Sequence, residues 1–414
     1  MASRVLPEIA ISGGGPAGLT LGLLLHKSNI PFTIYELRQK PTRTDLAKPS
    51  GMLDLHEESG LAALRECGLY DTFLSLTGEC SEAQRVADIH GNIVYADEGE
   101  LGERPEISRH ALTNLLTQHL PPNSIKYGHK LLSVKPDTKE LDFGPLEKRP
   151  FDLLIGADGA WSRARTALTD TKPHYTGTQS ITATIPAISS KYPHLSSLIG
   201  QGSFSALGLR HGVMAQRGPA DSARIYTFIS TPDEHFPSTS ELDKLDLESA
   251  KERILRDAKL LGSFGEPLKE LFSASCAEES KMNPDLTTLP IKPLYTLPTN
   301  TTFPHNTHPE TAITLIGDAA HLMPPWAGEG VNLAMWDALL LSKAIISAFE
   351  QTNGEPTSFL AALDPLLQAF ETEMFSRVHE KAEETEANGK MLFGEDGAMA
   401  FKSFFESAYG ESKP

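Results

Sequence analysis

Residues 8–36 read EIAISGGGPAGLTLGLLLHKSNIPFTIYE, and the order of residue types in this stretch decides the fold. Glu8 to Ser12 is a short β-branched run, Gly13 to Gly18 is dense in glycine, and Leu19 to Lys27 is an apolar run of helical length. A second strand candidate follows at Pro31 to Glu36, so the stretch is one strand, turn, helix and strand, and predicts a parallel sheet. Gly13, Gly15 and Gly18, with Pro16 and Ala17 among them, fit the G-x-G-x-x-G spacing. There the first glycine permits a tight turn, the second lets a pyrophosphate approach the backbone, and the third lets helix pack on strand. The helix N-terminus faces the phosphates, and its N–H groups stabilise their charge without a lysine. Glu36 lies 23 residues after Gly13, where an acid accepts hydrogen bonds from an adenosine ribose. With Leu37 and Arg38 beside it, Glu36 is placed in a dinucleotide site.

Similar signals recur downstream. Phe151 to Ile155 and Ala312 to Ile316 are short apolar runs leading into glycine and aspartate, as buried parallel strands feeding a functional turn do. Between them, Gln179 to Ser230 breaks into β-rich pieces separated by Gly, Pro and Ser, which predicts a mainly antiparallel second domain. Ser240 to Lys259 reads as an exposed helix, and Asn332 to Phe349 and Ser358 to Asn388 as longer helices. The run from Glu380 to Glu386 reads as a solvated helix face.

Composition excludes several functions. Acidic residues number 54 against 37 Lys and Arg, so a net charge of −17 repels phosphate backbones and anionic membranes. Cys67, Cys80 and Cys276 are odd in number and widely spaced, which predicts neither a disulfide framework nor a metal site and suits a reducing cytoplasm. Met1 to Pro7 carries no signal-peptide pattern, and the apolar run Leu339 to Phe349 contains Lys343 and falls short of the roughly 18 residues of a membrane helix. His305 and His308 have metal-like spacing but sit in a Pro- and Asn-rich loop, so no metal is expected.

Two later motifs choose among dinucleotides. Asp158-Gly159-Ala160-Trp161-Ser162-Arg163-Ala164-Arg165 resembles the D-G-x-x-S-x-x-R motif of group A flavoprotein monooxygenases. Gly317-Asp318-Ala319-Ala320-His321, continuing through Pro324-Pro325 to Gly328-Glu329-Gly330-Val331-Asn332, resembles the flavin motif of the same family. The resemblance implies FAD, with Asp318 on a ribityl hydroxyl and the amides of Gly330, Val331 and Asn332 at the flavin N1 and O2 edge. Reduced flavin is anionic there, and a helix N-terminus stabilises it. It also implies the architecture: an α/β fold with a glutathione-reductase-type Rossmann FAD domain (1–76, 101–176, 296–345), a mainly antiparallel substrate sheet domain (77–100, 177–295) and C-terminal helices (346–414).

Residues 51–56, 104–109 and 316–332 look like the corresponding stretches of the tetracycline-inactivating flavin monooxygenases, a likeness that spans most of the chain. By that resemblance Asp54 and Arg109 contact FAD, and Lys48 takes the place of a basic residue that meets NADPH; read by itself, Lys48 is solvated surface. Two departures stand out. Residues 216–219 and 224–227 do not reproduce the polar residues that hold tetracycline, which implies a different substrate. Glu329 replaces an uncharged residue, often Gln, and sets a carboxylate near the flavin.

Only one G-x-G-x-x-G is apparent, so no second Rossmann domain serves a nicotinamide. The resemblance implies that NADPH or NADH reduces FAD transiently and that O2 then forms a flavin C4a-hydroperoxide in a pocket between the domains. Flavin carries the chemistry, and no side chain need act as a nucleophile. Trp326, Gly328, Met214 and Gln216 are the expected pocket residues, with core packing the alternative for Met214; His321 is read as packing or capping locally. An aromatic or polyketide-like product of secondary metabolism is the substrate class that the resemblance implies. Rival readings are a flavin halogenase, whose W-x-W-x-I-P motif is not formed by Trp161, Trp326 or Trp336, a saturating reductase, and a flavin-bearing protein that sequesters a ligand.

Overall fold

The computed structural model describes residues 6–77, 83–99, 105–305 and 311–409. The stretch that opens the chain forms the strand Ile9–Ser12, helix α1 (Pro16–Lys27) and the strand Thr33–Glu36. These strands lie in a five-stranded parallel sheet, in the order Ala312–Leu315, Leu153–Gly156, Ile9–Ser12, Thr33–Glu36 and Ile125–Tyr127. The central strands Ile9–Ser12 and Leu153–Gly156 are buried along their whole length, because α1 and the residues Leu141 and Phe143, in and beside a small three-stranded antiparallel sheet, join them in one core and no alternation of polar residues is needed. Gly13 has φ +113°, and a Cβ there would lie 2.1 Å from the Ala157 carbonyl oxygen, so only glycine lets two strand ends approach so closely.

The second sheet has seven strands: Ile291–Thr296, His174–Ile185, Ser222–Ser230, His211–Gly218, Ser203–Gly208, Gln84–Ala87 and Ile93–Asp97. All pairs are antiparallel except Ser203–Gly208 with Gln84–Ala87. Its two faces differ sharply. Ile181, Phe204, Val213, Ala215, Ile225 and Ile229 share a buried apolar cluster with residues of α2 (Leu247–Arg256) and α3 (Glu266–Met282). Ser205, Met214 and Tyr226, then Ser203, Gln216 and Arg224, are register partners, so they share the opposite face. Helix α2 is shorter than the expected span and amphipathic rather than wholly exposed, because Leu247, Ala250 and Ile254 are drawn into that cluster.

Three helices close the chain: α4 (Gly330–Thr352), α5 (Pro356–Leu392) and α6 (Gly397–Tyr409). Among the described residues α4 alone is long and apolar enough to cross a membrane, exceeding the short run expected there; 61% of its most apolar window is buried, and it packs on α1. Its buried hydrophobic residues belong to the apolar core that also holds α1 and the parallel sheet. His305, read from sequence as standing apart from carboxylates, lies 2.8 Å from Glu371 and 3.0 Å from Asp364 of α5, and Thr314 donates to Glu371, so the group fastens α5 to the parallel sheet. His308 and Cys80 fall outside the described residues. Cys67 and Cys276 are free and buried, and burial pushes both thiols up to about 12, which makes them poor nucleophiles.

Candidate active site

The carboxyl ends of three parallel strands converge on Gly13, Ala157 and Gly317. Gly15 caps α1 in extended backbone, and a Cβ on it would meet nothing within 4 Å. Gly159 and Gly330 have the same open space in front of them. Three open glycines around one set of strand ends, two of them at or beside helix N-termini, form a cradle of backbone amides suited to a dinucleotide. Glu36 is buried; one carboxylate oxygen accepts the Gly14 N–H at 2.7 Å and the other the Arg38 N–H at 2.8 Å, so the acid braces the glycine turn from below. Leu37 is exposed at the rim.

Asp158 turns inward. Its carboxylate accepts the Ser162 hydroxyl and the N–H groups of Arg163 at 2.7 Å and Ala164 at 3.2 Å, so this motif presents backbone to the cleft. Arg165, at the motif's end, donates to the Ala160 carbonyl at 2.6 Å and the Ala319 carbonyl at 2.9 Å, tying the two loops together. Asn332 is likewise used internally: it accepts from the His56 N–H at 2.9 Å and donates to the Asp54 carbonyl at 3.0 Å. What Asn332 offers a cofactor is its place in the first turn of α4.

Asp318 is enclosed by protein on nearly all sides, and burial raises its carboxyl, yet its side chain is open to solvent. The two observations agree for a residue on the floor of a cleft. Arg109 lies near enough to act electrostatically both on Asp318 and on the Tyr226 phenol, so the seven-stranded sheet comes close to the parallel-sheet ends at this cleft. Gly51 closes it from the side, since a Cβ there would lie 2.9 Å from the Tyr226 hydroxyl. Behind Asp318 runs a buried network: Asp337 accepts the Gly317 N–H at 2.9 Å and Arg377 at 2.8 Å, and lies 2.5 Å from His321 Nε2. His321 therefore does pack locally, while its Nδ1 is buried and has no hydrogen-bond partner among the described residues.

The expected pocket residues come together on the mixed face of the sheet. Met214 is half-buried there and, like Trp326, packs against the small apolar cluster of Val86, Tyr95, Leu207 and Leu392 rather than in the larger cluster beneath the sheet; Gln216 donates to Glu106 at 3.3 Å. Trp326, in the turn Pro325–Ala327, packs edge-on against Phe228 and Phe393 with ring centres 4.8 Å away in each case. Its seat is Gly389 of α5, where a Cβ would lie 2.9 Å from Trp326 Cδ1. Gly328 is exposed between Trp326 and α4. Lys48 lies apart, at the loop's contact with Asn283, 3.5 Å away. Sequence reading passed over Tyr226 and Phe228, although Arg224, Tyr226 and Phe228 alternate with the buried Ala223, Ile225 and Thr227 in the period of a strand.

It also passed over His56. This ring lies 3.2 Å from Asp54 and 3.5 Å from Glu329, and hydrogen bonding to Asp54 first, then to Glu329, raises its pKa to about 9. A folded value above the ordinary 6.5 stabilises the fold fully below pH 6.5, and that contribution fades as pH rises through about 9. Urea unfolding of the wild type and His56→Gln should show the largest stability gap near pH 6.5 and a smaller one above pH 9; a gap independent of pH would rule out the charged His56.

The profile of the FAD binding domain family matches residues 7–266 and 273–357. The monooxygenase penA of Penicillium thymicola is 33% identical, over 97% of this chain and 98% of its own. The monooxygenase asqM of Emericella nidulans is 31% identical with the same coverage. The chain belongs to the FAD-binding monooxygenases. The fold is that of this flavoprotein monooxygenase family also in solved structures: Klebsiella pneumoniae HpxO complexed with FAD and uric acid superposes with a TM-score of 0.71 at 17% identity, over 98% of this chain and 93% of that one. Tetracycline destructase Tet(55) follows at 0.62 and 16%, over 94% and 97%. The full-length relatives are monooxygenases, which decides against the halogenase, reductase and sequestering readings.

Proposed function

We propose that this flavoprotein monooxygenase inserts oxygen from O2 into a small planar aromatic natural product, with NADPH or NADH as the electron source. The observation that carries the reading is the aromatic cluster of Trp326, Phe228 and Phe393, with Tyr226 stacked 6.3 Å from Phe228 and Arg109 near both Tyr226 and Asp318. FAD, when bound, supplies the redox chemistry by which electrons reach O2. The chain holds it: Gly13, Gly15 and Gly18 at the phosphates, with Pro16 and Ala17 opening α1; Glu36, Leu37 and Arg38 on the adenosine side; Asp318 and Arg109 along the chain linking the halves; Gly328, Gly330, Val331 and Asn332 at the flavin edge, with Asp54 behind. Asp158 shapes the phosphate turn, and Lys48 stands toward a nicotinamide donor.

The substrate lies against the mixed sheet face, with Met214, Gln216 and Tyr226 on one side and Trp326 and Gly328 on the other. Aromatic edges orient a planar ring, and the covering side chains keep water from the reaction. That HpxO binds uric acid and another structural neighbour is a salicylate hydroxylase supports an aromatic substrate here. A cytoplasmic place fits the odd number and wide spacing of Cys67, Cys80 and Cys276.

The test is spectroscopic. The protein's flavin bands should bleach on anaerobic addition of NADPH or NADH and return with O2, and aromatic candidates should accelerate O2-dependent oxidation of the nicotinamide. Reduction without any O2-dependent product across such a panel would sink the aromatic reading. Trp326→Ala should keep FAD yet raise KM roughly ten-fold and divert reducing equivalents to hydrogen peroxide, since the substrate ring loses an aromatic contact worth about 0.5–1.5 kcal/mol and its wall loses a packing partner of Phe228 and Phe393. An unchanged KM would remove Trp326 from the pocket.

A further inference from the structure

Glu329 is the N-cap of α4, the helix whose first turn is assigned above to the flavin edge. A carboxylate at that position and an anionic reduced flavin compete for the same positive helix end. The structure answers Glu329 from two sides. One carboxylate oxygen lies 2.7 Å from Lys381 Nζ of α5, and the other 3.5 Å from His56 Nδ1, whose Nε2 is 3.2 Å from Asp54. Lys381 thus leaves the solvated face that the acidic run 380–386 predicts and turns inward. His56 and Glu329 keep only 12% and 10% of their side-chain exposure, so their charges are weakly screened by solvent.

Asp54 closes the chain at the flavin end: a Cβ on Gly328 would lie 3.8 Å from its carboxylate. At the other end is a cavity of about 490 Å³ lined by His56, Glu329, Lys381 and Trp326, with Glu57, Glu58 and Glu384 at its walls. Glu384 also touches Lys381, at 3.2 Å, but is half exposed. The inner chain therefore contains two anions, Asp54 and Glu329, and two cations, His56 and Lys381.

We propose that His56 and Lys381 are positioning residues that cancel Glu329 and Asp54, leaving the α4 N-terminus free to stabilise the reduced cofactor, so that this four-residue charge balance sets the flavin's reduction potential. The proposal rests on the flavin reading of the Gly328–Asn332 loop. Changing one member leaves a net charge beside the helix end, and the sign of that charge fixes the direction of the effect.

The test is the midpoint potential of the FAD-loaded protein, read by equilibration with a redox dye. Glu329→Gln should raise the reduced-to-oxidised ratio at fixed dye ratio, and Lys381→Met should lower it, each roughly five-fold or more for a unit charge at an effective dielectric near 20. The double variant should return toward wild type, and Lys381→Arg should match it. Singles that shift the same way, or do not shift, overturn the proposal. If Glu329→Gln fails to hold FAD, the Lys381→Met and Lys381→Arg pair decides alone. Asp318→Ala, assayed in parallel for FAD affinity, separates the two failures. Retained affinity there overturns the flavin reading; lost affinity with unmoved potentials in the other variants overturns only the charge balance.

Discussion

Gly15→Val should yield a folded protein that no longer retains FAD. Gly15 has φ −82° and ψ −177°, extended backbone that valine adopts readily, and no protein atom lies within 4 Å of the position its Cβ would take. The fold therefore has little reason to reject the side chain. The cofactor does, because the isopropyl group fills the space in which a pyrophosphate approaches the amides of the α1 N-terminus. Losing one or two charge-assisted hydrogen bonds weakens binding by about 3 kcal/mol, roughly a hundred-fold in Kd. Thermal unfolding of the apoprotein and fluorescence titration with FAD measure the two properties separately. Unfolding of the variant, or undiminished FAD affinity, would show that the open space is not the phosphate cradle.

Asp337→Ala should destabilise the protein by about 3–5 kcal/mol, the cost of removing one member of a buried ionic group. Asp337 is fully buried and holds His321, Arg377 and the Gly317 N–H together, so its loss leaves His321 Nε2 without its partner, leaves Arg377 with Glu373 as its ion-pair partner, and frees the backbone just before Asp318. Asp337→Asn retains some hydrogen bonding and should lose less. The midpoint of urea unfolding gives the ranking, with FAD release recorded in the same titration. Equal stability of the alanine variant and wild type would remove the network from the fold's support. The apo- and holoproteins should both suffer, which distinguishes this change from Gly15→Val.

The parts of the molecule legible in the sequence are those whose chemistry sits in contiguous backbone. Gly13 to Gly18 must make a tight turn in front of a helix, and residues 317–318 and 328–332 each present a loop end, so their residue types announce them. The rest depends on register and tertiary approach. Tyr226 and Phe228 reach the cleft because their strand pairs with His211–Gly218 and turns that face outward from the apolar cluster. The pairing of Glu329 with His56 and Lys381 joins three distant segments, and no local pattern distinguishes Lys381 from its exposed neighbours. Asp158 shows the converse: its motif points to a cofactor-binding residue, while its hydrogen bonds turn the carboxylate inward onto Ser162 and the N–H groups of Arg163 and Ala164.

The parallel sheet also has a temporal side. Its middle strand, Ile9–Ser12, is made first, while the outer strand Ala312–Leu315, which pairs with Leu153–Gly156, is made last. At about 5–20 residues per second, the intervening chain of roughly 300 residues takes about 15–60 s to synthesise. Through the later part of that interval Leu153–Gly156 is an apolar strand with one open edge, and neither Asp318 nor the start of α4 has emerged from the ribosome. FAD can find its complete site only after the residues up to Asn332 have been made. Until Ala312–Leu315 is added, the growing N-terminal part carries that apolar strand edge unpaired, the kind of surface that makes incomplete chains prone to aggregate.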